Sequence, residues 1–206
     1  MQFDLRRLTP EFYADPFPVY HALRRQAPVM RMPDGSYLLT RYADVLAVYK
    51  DAETFSSDKK EEFRPKLGDS PLYEHHTTSL VFNDPPLHTR VRRIIMGAVN
   101  QRAIARMEPA VARLVDALLE AMAARGECDF IADFAAQIPI EVIGNLLDIP
   151  RPDRSPLRGW STAILTGLEP ALTPQMFDAG NRAVVEFVAF LRILIQDRRK
   201  NPGDPE

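Results

Sequence analysis

The sequence predicts a mainly α-helical fold carrying one small β-sheet, and three observations lead there. Apolar residues recur at helical spacing through most of the chain, most clearly over 42–50, 109–126 and 174–200. Two short apolar runs, Val29–Met32 and Ser36–Thr40, flank Pro33-Asp34-Gly35, an Asp-Gly hairpin turn. That hairpin is too small to be a sheet domain and reads as an accessory sheet. Eighteen prolines against nine glycines suggest many helices started or stopped by proline.

Composition narrows the class. The 206 residues can bury a real core, and 46% hydrophobic with 26% charged residues argues against disorder. A net charge of -2 gives no global attraction to nucleic acid, so any basic patch is local. No apolar run approaches a bilayer span, and Met-Gln-Phe-Asp-Leu-Arg-Arg lacks a signal-peptide hydrophobic stretch. The single cysteine, Cys128, excludes an internal disulfide and a multi-cysteine zinc site. A soluble cytoplasmic protein, bound to neither membrane nor nucleic acid, is the expectation.

In chain order, 16–27 reads as a short helix with Val19, Tyr20 and Leu23 on its apolar side. The hairpin follows, then a helix from Tyr42 to Lys50 through Val45, Leu46 and Tyr49. Residues 51–80 lose periodicity, and 51–84 carry eight acids against four bases. A stretch this long without pattern reads as a functional or mobile loop. The pair His75-His76 inside it invites a metal, but two adjacent ligands without a third read as part of a solvated loop. After 84 a basic helix begins. Pro109 then opens a helix with Val111, Leu114, Val115, Leu118, Leu119 and Met122 as its stripe, ending at Gly126. Cys128–Ile131 reads as a short edge strand. Asp133 is expected to cap a helix carrying Phe134, Ile138, Val142, Ile143, Leu146 and Leu147, bent or restarted at Pro139. Residues 151–172 are proline-broken, with one modest helix. Thr173-Pro174 opens a last helix to about Lys200, about 40 Å long at 1.5 Å per residue. The chain then runs into Asn-Pro-Gly-Asp-Pro-Glu, which reads as a linker.

The stretch Phe82–Ile95 carries the most chemistry. Asn83 or Asp84 is placed to cap the helix, with Pro85 and Pro86 in its first turn. His88 and Arg92 are four apart and share a face; two donors one turn apart suit a carboxylate or phosphate. Arg90 and Arg93 look elsewhere. From Pro85 to Arg113 there are six arginines against one acid, Glu108. Such a cationic island attracts an acidic surface. It lacks the aromatic interleaving and motif of a nucleic-acid site.

Five phrases now stand in order: Asp15-Pro16-Phe17-Pro18-Val19-Tyr20, Ala52-Glu53-Thr54-Phe55-Ser56-Ser57, Asn83-Asp84-Pro85-Pro86-Leu87-His88-Thr89-Arg90-Val91-Arg92-Arg93, Asp133-Phe134-Ala135 and Leu146-Leu147-Asp148-Ile149-Pro150. Together they resemble a soluble bacterial cytochrome P450 over essentially the whole chain, but only over the N-terminal half of that fold, helices A to G. The resemblance implies one incomplete domain over 1–206, with 51–84 as the region between helices B and C and 151–173 as the E–F/F–G lid. It implies haem, with His88 and Arg92 on the propionates. It puts Thr78, Leu80 and Val81 over the substrate cavity and Leu165 and Leu168 on its far wall. It gives Arg90 and Arg93 to the surface that docks an acidic ferredoxin.

The departures bear on activity. The family's thiolate ligand sits in a Gly- and Cys-containing loop that nothing here matches, and Cys128 reads as a structural or partly exposed thiol rather than an iron ligand. No iron ligand or other metal ligand and no catalytic residue is expected within the chain. The Glu-x-x-Arg match at Glu61–Arg64 reads as chance. Without the sulfur its electron push is lost, so the isolated chain is expected to be inactive. The full-length parent is expected to hydroxylate a hydrophobic small molecule with oxygen and ferredoxin-supplied electrons. The alternative is a non-catalytic helical ligand-binding or interaction module derived from the same fold. Helices that would pack on a missing half leave an apolar face, so self-association is also expected.

Overall fold

The structure is a computed structural model and describes residues 3–201. Its front end follows the sequence closely. Helices α1 (Pro10–Ala14) and α2 (Phe17–Gln26) precede strands β1 (Val29–Arg31) and β2 (Tyr37–Leu39), and α3 spans Tyr42–Lys50. The strands pair antiparallel, Val29 opposite Leu39 and Arg31 opposite Tyr37. Gly35 takes φ +86°, open to a residue without Cβ, and Asp34 closes the turn by accepting from the Ser36 hydroxyl and amide. Those bonds, with Arg6 alongside, hold the Asp34 carboxyl below the ordinary range.

The segment expected as a solvated loop is instead the middle of the core. It folds into α4 (Lys60–Leu67), α5 (Pro71–Thr78) and a 3₁₀ turn over Leu80–Phe82. Phe63 and Leu67, one turn apart on α4, meet Leu72 of α5 in a cluster with Ile164, Ala183 and Val184. Ser70 caps α5 by accepting from the Tyr73 amide at 3.1 Å. The expectation for His75-His76 fails on the same ground, since His76 is only 3% exposed.

Two helical boundaries also differ. Helix α6 covers Leu87–Ala98, and α7 covers Gln101–Arg125, starting well before Pro109. Asn100 caps α7 by accepting from the Ala103 amide at 3.0 Å, and the helix runs through Pro109. Residues 128–131 form no strand. Phe130 and Phe134 stack at 5.1 Å, and Ile131–Ala135 make one wide π-type turn. Asp129, not Asp133, accepts from the amide three residues on, at Ala132, while Asp133 reaches back to the Asp129 amide. Helix α8 (Gln137–Leu146) restarts after this turn with Pro139 in its first turn, where a missing amide costs little.

The remainder is the expected pair of helices. A 3₁₀ turn over Arg151–Arg154 leads to α9 (Leu157–Thr166), and Thr173 caps α10 (Pro174–Lys200) by accepting from the Met176 amide. Arg154 in that turn is buried against α8, donating to Ile149 O at 2.8 Å and to Glu141 Oε2 at 2.8 Å. Gly144 makes room for it, because a Cβ there would stand 2.4 Å from Arg154 Nε. Leu72 is fully buried, and a Cβ on Gly180 would stand 2.7 Å from its Cδ1. Asn181 Oδ1 accepts from the Leu72 amide at 3.0 Å, so α5 is fixed to α10 by packing and by a hydrogen bond.

The surface is large. The chain exposes 15171 Å², whereas a compact monomer of 23.3 kDa exposes about 9,700 Å². Large apolar side chains contribute to it. Ile94, Ile104 and Ile143 are 71%, 55% and 47% exposed, and α7 and α8, with Val99 just after α6, border a groove of about 660 Å³ lined by Val99, Ile104, Met107, Val111, Val142 and Leu146.

Candidate functional site

Helix α6 is held at its start by a contact that the sequence does not announce. Asp84 does not cap the helix. Its carboxylate accepts from the Ser56 hydroxyl and from the Ser57 amide, the latter at 2.7 Å, and these bonds lower its pKa. Asn83 also turns away and donates to Ser79 O. The helix therefore begins at Leu87, with Pro86 at the cap position and no side-chain cap. In exchange, the Phe55-Ser56-Ser57 corner is tied to the first residues before α6.

His88 is half-buried and Arg92 exposed one helical turn further on. Neither makes a side-chain hydrogen bond or ion pair among the described residues, and the same holds for Arg90 and Arg93. Arg102, Arg106 and Arg113 on α7 are likewise exposed and unpaired among the described residues. Some other arginines of the chain find acids: Arg125 pairs with Asp133, Arg154 with Glu141 and Arg198 with Asp148. The α6–α7 surface is thus a run of cations with their hydrogen-bonding capacity free. Such a surface suits carboxylates or an acidic partner.

The expected substrate residues fall into separate surroundings. Thr78 is exposed at the end of α5, its hydroxyl donating to Glu74 O at 2.7 Å. With Glu74 and His75 it faces Val184, Val188 and Arg192 of α10 across a cavity of about 380 Å³. Leu80 is half-buried and Val81 is 71% exposed on the 3₁₀ turn that leads into α6. Leu165 is 62% exposed on α9, while Leu168 packs against the buried cluster around Leu72. The cavity's α10 wall went unread because its valines form part of a long regular stripe. Nothing in that stripe marks which face is hollow.

Among the described residues no group of three or more His, Cys, Asp or Glu could hold a metal ion. Cys128 is exposed. Arg64 pairs with Asp69 and lies over the Tyr73 ring, and no Glu61–Arg64 pair forms among the described residues. No helix among the described residues is long and apolar enough to cross a membrane.

Comparison with known proteins supplies the frame. No protein-family model matches the chain. It is 32% identical to the vitamin D(3) 25-hydroxylase of Pseudonocardia autotrophica over 196 residues, which are 94% of this chain and 46% of that protein. It is also 32% identical to the cytochrome P450 monooxygenase PikC of Streptomyces venezuelae, over 98% of this chain and 47% of PikC. Among solved structures, CalO2 matches with a TM-score of 0.87 at 28% identity, covering 98% of this chain and 51% of that one. The P450BioI structure, in complex with a hexadec-9Z-enoic acid ligated acyl carrier protein, also gives 0.87, at 25% identity over 96% and 52%. The chain spans about half the length of the relatives it matches.

Proposed function

We propose a role for a chain that is, in sequence and fold, a segment of a bacterial cytochrome P450: it supplies half of the cofactor and substrate site of a haem-dependent monooxygenase. The observation that carries this reading is the pair His88 and Arg92, two donors one turn apart on α6 with no partner among the described residues. Haem presents two carboxylates, and this donor set fits them. Each charge-assisted hydrogen bond would contribute about 1.5–3 kcal/mol. When bound through a cysteine thiolate, haem supplies activation of oxygen. Cys128 is the only cysteine of the chain and does not resemble that ligand.

The chain's own contribution is to hold and to enclose. His88 and Arg92 orient the cofactor edge. Thr78, Leu80 and Val81 on one side, with Leu165 on the other and Leu168 backing it from the core, present apolar surface with one hydroxyl to a hydrophobic small molecule. Arg90 and Arg93 face outward and attract an acidic electron donor of the ferredoxin type, with Arg102, Arg106 and Arg113 extending the field. We place the protein in the cytoplasm.

The test is haem content of the holoenzyme that carries these residues. Arg92→Ala is expected to lower haem occupancy and His88→Ala to lower it less, read from the haem absorbance per protein. Full occupancy in both variants removes the pair from the site. A carbon-monoxide difference spectrum of the same material reads whether the haem is thiolate-bound. A second reading, a ligand-binding module without catalysis, draws on the cavity between α5 and α10, which the chain builds from its own residues. It requires that the 206 residues alone be monomeric and unfold cooperatively.

A further inference from the structure

We propose that His76 is an acid-sensitive latch that holds α5, and the cavity wall it carries, against α9 and α10. The geometry is that of a polar ring sealed in an apolar cage. His76 is 3% exposed, and its Nε2 has no hydrogen-bond partner among the described residues. Phe63 of α4, Phe82 of the 3₁₀ turn and the neighbouring His75 meet it edge-on, at 6.0, 6.1 and 5.3 Å between ring centres. Leu72, one turn before it, is the fully buried residue that α10 receives over Gly180. Thr77 beside it is buried too, so His76 and Thr77 form the inward side of this turn of α5, while Glu74 and Thr78 stand on its exposed side.

The groups that oppose a charge on the ring come from two elements: His75 on α5 itself, when protonated, and Lys66 on α4. Helix α9 offers the Ile164 backbone, α10 brings Ala183 and Val184, and the 3₁₀ turn brings Phe82. No carboxylate compensates a proton on His76. Burial first, then His75 and Lys66, push its pKa below the ordinary 6.5, against an opposing hydrogen bond to the Ile164 backbone. The sign follows. The docked state keeps the ring neutral and binds fewer protons than a state in which α5 has lifted away. Docking is therefore intact above pH 6.5 and weakens as pH falls below it, until the docked ring itself protonates. A lifted α5 withdraws Glu74, His75 and Thr78 from the cavity that they share with Val184, Val188 and Arg192. The consequence is a cavity whose α5 wall is in place at neutral pH and withdrawn in acid.

The experiment uses the 206-residue chain and needs no cofactor. Amide hydrogen exchange, corrected for the intrinsic effect of pH, is followed for α5 and for α7 at pH 7.5 and 5.5. One proton taken up by the lifted state predicts a fall in α5 protection of about tenfold over that interval, while α7 changes less than twofold. His75, half-buried and also pushed down by burial, adds its own share. His75→Gln should keep the His76 part of the fall, and His76→Phe, which suits the aromatic cage, should remove it. Equal α5 protection at the two pH values overturns the proposal, as does an undiminished fall in His76→Phe. An NMR pH titration of the wild-type imidazoles tests it without any variant. A His76 ring that titrates at the ordinary imidazole pH overturns it, and one that stays neutral well below that pH supports it.

Discussion

Helix α5 owes its position to Leu72, and a double-mutant cycle with Gly180 measures how. The Leu72 side chain is fully buried, and its methyls lie over two helical backbones where a Cβ on Gly167 or Gly180 would crowd them. Leu72→Ala removes those methyls from a sealed site and should cost about 3 kcal/mol, within the usual range of about 2–5. Gly180→Ala brings a methyl to 2.7 Å from Leu72 Cδ1 and 3.1 Å from Ala163 O. Overpacking of that kind costs about 1–3 kcal/mol, offset by about 1 kcal/mol because alanine suits the interior of α10 better than glycine. In the Leu72→Ala background the crowding methyls are gone and only the Ala163 carbonyl remains close. The new methyl then fills part of the vacated space, and Gly180→Ala becomes neutral or stabilising by about 1 kcal/mol. The cycle should therefore show a favourable coupling of about 1–2 kcal/mol. Urea unfolding followed by tryptophan fluorescence reads it directly. Trp160 is the only tryptophan and packs against this cluster, 5.8 Å from the Phe187 ring. Additivity within about 0.5 kcal/mol would mean that Leu72 does not rest on Gly180 and would refute the packing described.

Two further outcomes follow from charged groups. Arg154→Met should destabilise the chain by about 2–3 kcal/mol, read in the same unfolding assay, because it strips the Ile149 carbonyl and the Glu141 carboxylate of their buried donor. Arg151, 3.7 Å from Glu141, keeps the loss below the upper end for a broken buried pair. Arg90→Glu in the holoenzyme should slow reduction by an acidic ferredoxin, with the difference shrinking as salt is raised, since an exposed charge acts through a screened field. A rate that is unchanged at low ionic strength would take Arg90 off the docking surface.

How far the sequence carries can be argued from single elements. Helix α10 was legible end to end, because Thr173-Pro174 is a strong start and twenty-seven residues repeat one stripe. The hairpin was legible because Asp34-Gly35 has one good use between two apolar runs. Helices α4 and α5 were not, because each has only eight residues. In Lys60–Leu67 just two apolar side chains, Phe63 and Leu67, stand among charges, too few to display a period. The latent signal was their spacing of four, repeated by Leu72 and His76. At the candidate site, the spacing of His88 and Arg92 is what suggests the proposed clamp, but the Asp84 link to Ser56 and Ser57 joins residues 27–28 apart and leaves no local trace.

That link bears on what binding at α6 must do. No residue of α6 is buried, and its twelve residues carry no side-chain cap. A helix of that length is marginal by its own propensity. Three things can hold it in place: the Asp84 tether before its start, whatever covers Ile94 and Ile95, and a ligand that grips His88 and Arg92 together. The last two residues lie one turn apart, so an anion bridging them fixes the helical dihedrals between them as it binds. Affinity at this site and order in α6 are then one equilibrium read from two ends, because a ligand that binds only the helical form stabilises that form. The clamp residues would in this way contribute to the cofactor's retention twice: by direct hydrogen bonds, and by making the helix that carries the outward arginines rigid enough to present them.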